Sequence, residues 1–350
     1  MRSLLSSILI GLIVLLVGND GFAKEIQAKD EQGRDDWLYV PDRIDPEKTY
    51  TLVVGVHGYR GRGKGAGGYA GWVKEHDVIV LGCTYDSNGY QYLQKGSDEQ
   101  TISLVKKLRK EYTLHEKIFV GGFSGGSQYA HRFAMKYPDL VAGCAAHSGG
   151  TWATGDYAER AVPNPKARGV LFVISCGEKD TGKSFNEAPM GRLDWAKKYE
   201  TMLEEGGFVY DAKWVPGVGH SPSHISRQMS RDCFIASTQR LPEYNAERDA
   251  IEKAMRDKDY GEAWSLIQRR LKKKDKDDDG ILGKVHDLYI DSLEGDIDRI
   301  DRMAEREVTQ AIRNNKDPEQ LALALRKLKA DYRGLPDTIA LIEMELDKVR

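Results

Sequence analysis

At 350 residues the chain is long enough for one large domain and an extension. Its 52 Lys and Arg nearly balance 54 Asp and Glu, and the net charge of −2 removes any electrostatic case for nucleic acid or an anionic membrane surface. With 40% apolar residues, a sizeable core can form.

The chain opens as an export signal would. Met1-Arg2 gives a short basic start, Leu4 to Val17 an apolar run, and Gly21-Phe22-Ala23 the small residues that a signal peptidase reads. The run falls short of the roughly 18–20 residues that span a bilayer. Residues 1–23 are therefore expected to be a cleaved signal rather than a stable membrane anchor, and the mature protein periplasmic or secreted. Lys24 to Asp36 is polar and expected to be loose. Trp37 to Val40 reads as the first strand, which Pro41 ends or marks as an edge. Tyr50 to Val56 is a strand rich in branched residues that delivers His57-Gly58-Tyr59, and Val78 to Gly82 is the next strand. Between them Gly61 to Gly71 is glycine-rich. It lacks the Gly-Lys-Ser/Thr ending of a phosphate loop and reads as a flexible lip of a pocket. Ser97-Asp98 can cap a helix to about Glu111, with Ile102, Val105 and Leu108 on one face.

Ile118-Phe119-Val120 reads as a buried strand and Tyr129 to Tyr137 as the body of a helix. Gly122-Phe123-Ser124-Gly125-Gly126 lies between them. Gly-x-Ser-x-Gly in that setting puts the serine on a sharp strand-to-helix turn, its hydroxyl pushed out of the sheet. Leu140 to Ala146 is another strand, followed by a long connection from Thr151 to Arg168. Val170 to Ser175 is a strand that runs into Cys176-Gly177-Glu178-Lys179-Asp180. Asp194 to Glu205 is helical, Ala212 to Val215 a short strand, Pro216 to His220 a loop, and Ser223 to Thr238 a helix. Strands alternating with helices at this spacing imply a mostly parallel sheet covered on both faces, with reactive groups at the carboxyl ends of the strands.

Ser124 is the candidate nucleophile, because a serine hydroxyl needs a neighbouring base and one stands downstream. His220 is the candidate base, with His224 its rival. Their spacing of four hints at metal, but no third ligand is evident and no metal or cofactor is expected. Either Glu178 or Asp180 could orient an imidazole. The N–H of Gly125 and one from the turn at Tyr59 would give two donors to a developing oxyanion. Trp152, Tyr157 and Trp195 are candidates for an aromatic substrate subsite.

Ser, then Asp, then His is the chain order of the α/β-hydrolase triad. Residues 35–240 resemble that superfamily. His57-Gly58-Tyr59, the Ser124 pentapeptide and Gly219-His220-Ser221 are most similar to the polyhydroxybutyrate depolymerase, feruloyl esterase and dienelactone hydrolase group. The resemblance implies an α/β-hydrolase fold and selects Asp180 as the acid, three residues after Gly177. It implies a serine hydrolase that cleaves carboxylic esters through an acyl-enzyme, on a substrate larger than acetate such as a polysaccharide-linked or polymeric ester. A serine peptidase of the prolyl-oligopeptidase type is the alternative within hydrolases, although this chain has no room for that family's propeller gate.

From Leu241 strand-like runs vanish. Residues 241–350 read as a charged, all-helical extension, with long periodic segments at Ala246 to Lys273, Val285 to Asn314, Glu319 to Tyr332 and Thr338 to Val349. A protein partner bound through this region would make the chain a binding or scaffolding protein with a subsidiary catalytic domain. Asp275 to Gly280 matches the first half of a calcium loop, but position twelve is His286 instead of a bidentate Glu, which favours a charged inter-helix loop. Four cysteines permit disulfides in an exported chain, while their apolar settings favour buried thiols.

Overall fold

The computed structural model describes residues 15–19, 23–29, 33–86, 89–149, 163–183, 190–273 and 279–349. They fall into two compact units, 1–239 and 240–350.

The first unit is built on one sheet. In chain order its strands are β1 (Leu15–Asn19), β2 (Lys24–Lys29), β3 (Asp35–Val40), β4 (Thr51–Val56), β5 (Val78–Gly82), β6 (Ile118–Phe123), β7 (Val141–His147), β8 (Leu171–Gly177) and β9 (Tyr210–Val215). Their spatial order is β1-β2-β3-β5-β4-β6-β7-β8-β9. β4 to β9 are mutually parallel, and β1, β2 and β3 extend one edge antiparallel. Every residue of β4, β5, β7 and β8 is buried. Strands covered on both faces need unbroken apolar or small residues, and the sequences LVVGV, VIVLG and LFVIS supply them.

Alternate side chains enter opposite layers. Leu52, Val54, Val120, Phe172 and Ile174 point into one core with Val105 of α2 (Ser97–Glu111), Tyr129 and Phe133 of α3 (Gly125–Lys136), and Tyr199 of α4 (Arg192–Glu205). Phe119 turns the other way, 5.8 Å from the ring of Trp72 in α1 (Trp72–Glu75) and 5.8 Å from Phe234 in α5 (His224–Ile235). The mostly parallel, two-faced sheet is the expected architecture.

Two local expectations are corrected. Lys24–Lys29 is not loose: it pairs residue for residue with Asp35–Val40 and on its other side with β1, and Ile26 packs against the core. The glycine-rich lip is not a loose loop either. Gly63–Tyr69 is a 3₁₀ helix laid against the sheet, so close that a Cβ on Gly63 would stand 2.1 Å from the carbonyl oxygen of Gly82. The four cysteines are buried free thiols.

The second unit is helical throughout its described residues: α6 (Leu241–Arg256), α7 (Tyr260–Lys272), α8 (Gly280–Asn314), α9 (Pro318–Asp331) and α10 (Pro336–Lys348). The periodic stretch expected to run from Ala246 to Lys273 is broken in two. Lys258 takes φ 60°, and the Asp259 side chain then caps α7 by accepting from the N–H of Glu262. Tyr244 stacks on Tyr289 at 4.3 Å with the Arg270 guanidinium 4.5 Å from the Tyr244 centroid, and Tyr260 stacks on Tyr332 at 4.6 Å. Val308, Leu321, Leu325, Ile342 and Leu346 close a small core. Residues 274–278, which include the first four positions of the calcium-like loop, lie outside the described residues. His286 at its twelfth position stands 3.2 Å from the Tyr244 hydroxyl.

Candidate active site

Ser124 follows β6 and precedes α3 with φ 57° and ψ −123°, a backbone conformation that costs an L-residue energy and is kept where the fold over-determines it. The glycines make the bend possible. A Cβ on Gly126 would lie 2.2 Å from the Val56 carbonyl oxygen, and one on Gly122 would lie 2.4 Å from the backbone carbon of Gly126. The strand and the first helical turn therefore meet backbone to backbone.

Asp180 and His220 arrive from neighbouring strands whose exits are stitched together. After β8 and β9, the N–H of Glu178 donates to the Val215 oxygen at 3.0 Å, and that of Lys179 to the Val218 oxygen at 2.9 Å. Glu178 is turned outward and exposed, whereas the Asp180 side chain is fully buried. His220 Nδ1 lies 2.8 Å from Asp180 Oδ2, and its Nε2 lies 2.9 Å from Ser124 Oγ. A carboxylate on Nδ1 leaves the proton there and the lone pair on Nε2, facing the hydroxyl. The Phe123 ring sits 5.0 Å from the imidazole and walls one side of it. His224, the rival base, is instead the first residue of α5 and is exposed.

Asp180 has a second partner that the sequence did not disclose. Arg192, the first residue of α4, places Nε and Nη2 each 2.7 Å from Asp180 Oδ1, and its Nη1 donates to the Lys183 oxygen at 2.9 Å. Burial raises the Asp180 pKa, but the hydrogen bonds from His220 and Arg192 outweigh it and hold the carboxyl below its ordinary value. Cys176, with Sγ 3.6 Å from the same carboxylate, is driven the other way: burial, then the neighbouring charge, push its thiol up to about 12.

The oxyanion candidates converge from two elements. Gly125 is the first residue of α3, where an amide has no partner within the helix. The Tyr59 nitrogen lies 3.1 Å from where a Cβ on Gly125 would stand. The turn that carries Tyr59 is braced from behind. His57 Nδ1 lies 2.7 Å from the Gly58 oxygen, its Nε2 accepts from the Tyr85 N–H at 3.1 Å, and the Tyr90 hydroxyl donates to the His57 oxygen at 2.7 Å. Burial lowers the His57 pKa, consistent with a neutral ring that donates from Nδ1 and accepts at Nε2. Tyr85, Tyr90 and Arg192 are thus the supporting residues that sequence reasoning missed. Only their apolar or helix-start settings signalled them.

The aromatic subsite is not assembled as expected. Trp195 is 4% exposed and packs in the main core, because its place one turn into α4 points its ring at the sheet. Trp152 and Tyr157 lie outside the described residues. Among the described residues no group of His, Cys, Asp and Glu has the arrangement of a metal site.

No protein-family model matches the chain, and no curated protein sequence does. Solved structures similar to it include a CE1 ferulic acid esterase from Anaeromyces mucronatus, 16% identical over 62% of this chain and 92% of that one, with a TM-score of 0.47. An S-formylglutathione hydrolase from Agrobacterium tumefaciens is 17% identical over 63% and 96%, at 0.46. A thermostable esterase is 20% identical over 56% of this chain, at 0.43, and the chain spans only 55% of its length.

Proposed function

We propose that this chain, an α/β-hydrolase by the order of its sheet and the form of its strand-to-helix turn, is an exported serine hydrolase of carboxylic esters. The single observation that supports it most is the line of three side chains, Ser124 Oγ to His220 Nε2 at 2.9 Å and His220 Nδ1 to Asp180 Oδ2 at 2.8 Å. Ser124 attacks the ester carbonyl while His220 takes its proton. The charge on the former carbonyl oxygen is received by the N–H groups of Gly125 and Tyr59, each such donor contributing on the order of 3 kcal/mol. The imidazolium, held by Asp180, then protonates the departing alcohol. Water repeats the sequence on the acyl-enzyme, releasing the acid and restoring Ser124. Export rests on the basic start, apolar run and small residues of the first 23 positions.

Purified protein is expected to hydrolyse p-nitrophenyl acetate and to be labelled by a fluorophosphonate. Ser124→Ala is expected to lose both with its circular dichroism unchanged. Turnover that survives in a folded Ser124→Ala variant would overturn the proposal.

A further inference from the structure

We infer that the ester this site accepts carries a second, ionised carboxylate, held by cations of the glycine-rich segment beside the nucleophile; this rests on the ester-hydrolase reading above. The turn Gly58–Gly61 is closed by the Gly61 N–H donating to the Gly58 oxygen at 2.8 Å, and it packs against the nucleophile: a Cβ on Gly58 would stand 3.7 Å from Ser124 Cβ. Beyond this turn lies a pocket of about 430 Å³ lined by His57, Gly58, Gly61, Arg62, Lys64 and Phe123, among others. Phe123 is also the ring against His220, so the pocket and the imidazole share that neighbour. Its walls hold two cations and no carboxylate.

The local chain is one-sided in charge. From His57 to Lys74 there are Arg60, Arg62, Lys64 and Lys74 and not one Asp or Glu. Arg62 and Lys64 are largely exposed, and each is ion-paired on one side, Arg62 with Asp35 at 3.7 Å and Lys64 with Glu25 at 3.4 Å. Both of those acids belong to β2 and the start of β3 and do not line the pocket. Arg60 adds a third cation at the rim. It is exposed, it lies 5.4 Å over the Tyr59 ring, and it occupies φ 59°, a conformation that glycine would take more easily. Cations facing an open pocket favour a carboxylate over a neutral group of the same shape.

The test compares matched esters. On the acyl side these are mono-p-nitrophenyl succinate and p-nitrophenyl pentanoate; on the alcohol side, 4-(butanoyloxy)benzoate and phenyl butanoate. In one of the two pairs the ratio of kcat/KM, charged over neutral, is expected to exceed one. It should fall about tenfold in the Arg62→Gln/Lys64→Gln double variant, the size of one charge-assisted contact. Added salt should lower the same ratio in the unaltered protein, a readout that needs no variant. The pair that responds tells which side of the ester occupies the pocket. If neither charged ester is favoured, and neither the double variant nor salt moves the ratios, this inference is overturned while the ester-hydrolase reading stands. A protein inert to all four esters overturns both.

Discussion

Asp180 divides its carboxylate between His220 and Arg192, so its ionisation depends on both. With its pKa held below 3.8, it stabilises the fold fully above the unfolded-state value, and that stabilisation is lost as pH falls through the lower folded-state value. Arg192→Gln removes one of the two partners that hold the carboxyl down and leaves burial opposed by His220 alone. The acid limb of kcat/KM against pH is expected to move to higher pH, and the variant to lose about 3 kcal/mol in urea unfolding, the usual cost of half-breaking a buried pair. Arg192→Lys should restore part of both. An acid limb that does not move would reduce Arg192 to a packing residue. His147 titrates with the opposite chemistry. It lies between the Ser175 hydroxyl on Nδ1 at 2.7 Å and that of Ser230 on Nε2 at 2.8 Å, and burial lowers its pKa to about 4. The neutral ring's contribution is complete above 6.5 and is lost as pH falls toward 4, up to about 3 kcal/mol. His131 and His57, also lowered by burial, add in the same direction. His147→Gln should flatten the fall in unfolding free energy across that window; an unchanged slope would contradict the assignment.

Among the elements, the strand-to-helix turn around Ser124 depends on backbone contact. Gly126→Ala would drive a methyl group to 2.2 Å from the Val56 oxygen. We expect a loss of roughly 2–3 kcal/mol, read as a lower melting temperature, together with loss of fluorophosphonate labelling. In the helical unit the opposite change should help. Lys258 ends the α6 turn at φ 60°, and Lys258→Gly is expected to raise stability by about 0.5–1 kcal/mol. The same elements show what the sequence made legible. Ser124, Asp180 and His220 each follow an apolar run, and a run that ends at a polar residue marks the exit of a buried strand. Arg192 follows no such mark. It meets Asp180 only because α4 starts beside the exit of β8, a fact of tertiary structure. The 3₁₀ helix at Gly63–Tyr69 was hidden because its glycines serve close packing as readily as mobility, and composition alone does not separate the two. Trp195 was misassigned for a related reason: an aromatic on a short amphipathic helix has the same spacing whether it faces ligand or core.

For the molecule as a whole, Ser124, Asp180 and His220 all belong to the unit that ends at Gln239, while the described residues of 240–350 form a helical unit with its own small core. A chain stopped at Gln239 is expected to keep fluorophosphonate labelling; its loss in a soluble product would mean that the helical unit is needed for the reactive conformation. Within the first unit, Ser124 follows β6 in the middle of the sheet, whereas His220 follows β9, the outermost strand on its side. A border strand has one neighbour instead of two and frays first. On slow heating, therefore, the proposed turnover should vanish while far-ultraviolet dichroism still reports an intact interior, so that its loss acts as an early alarm for damage to the rim of the sheet.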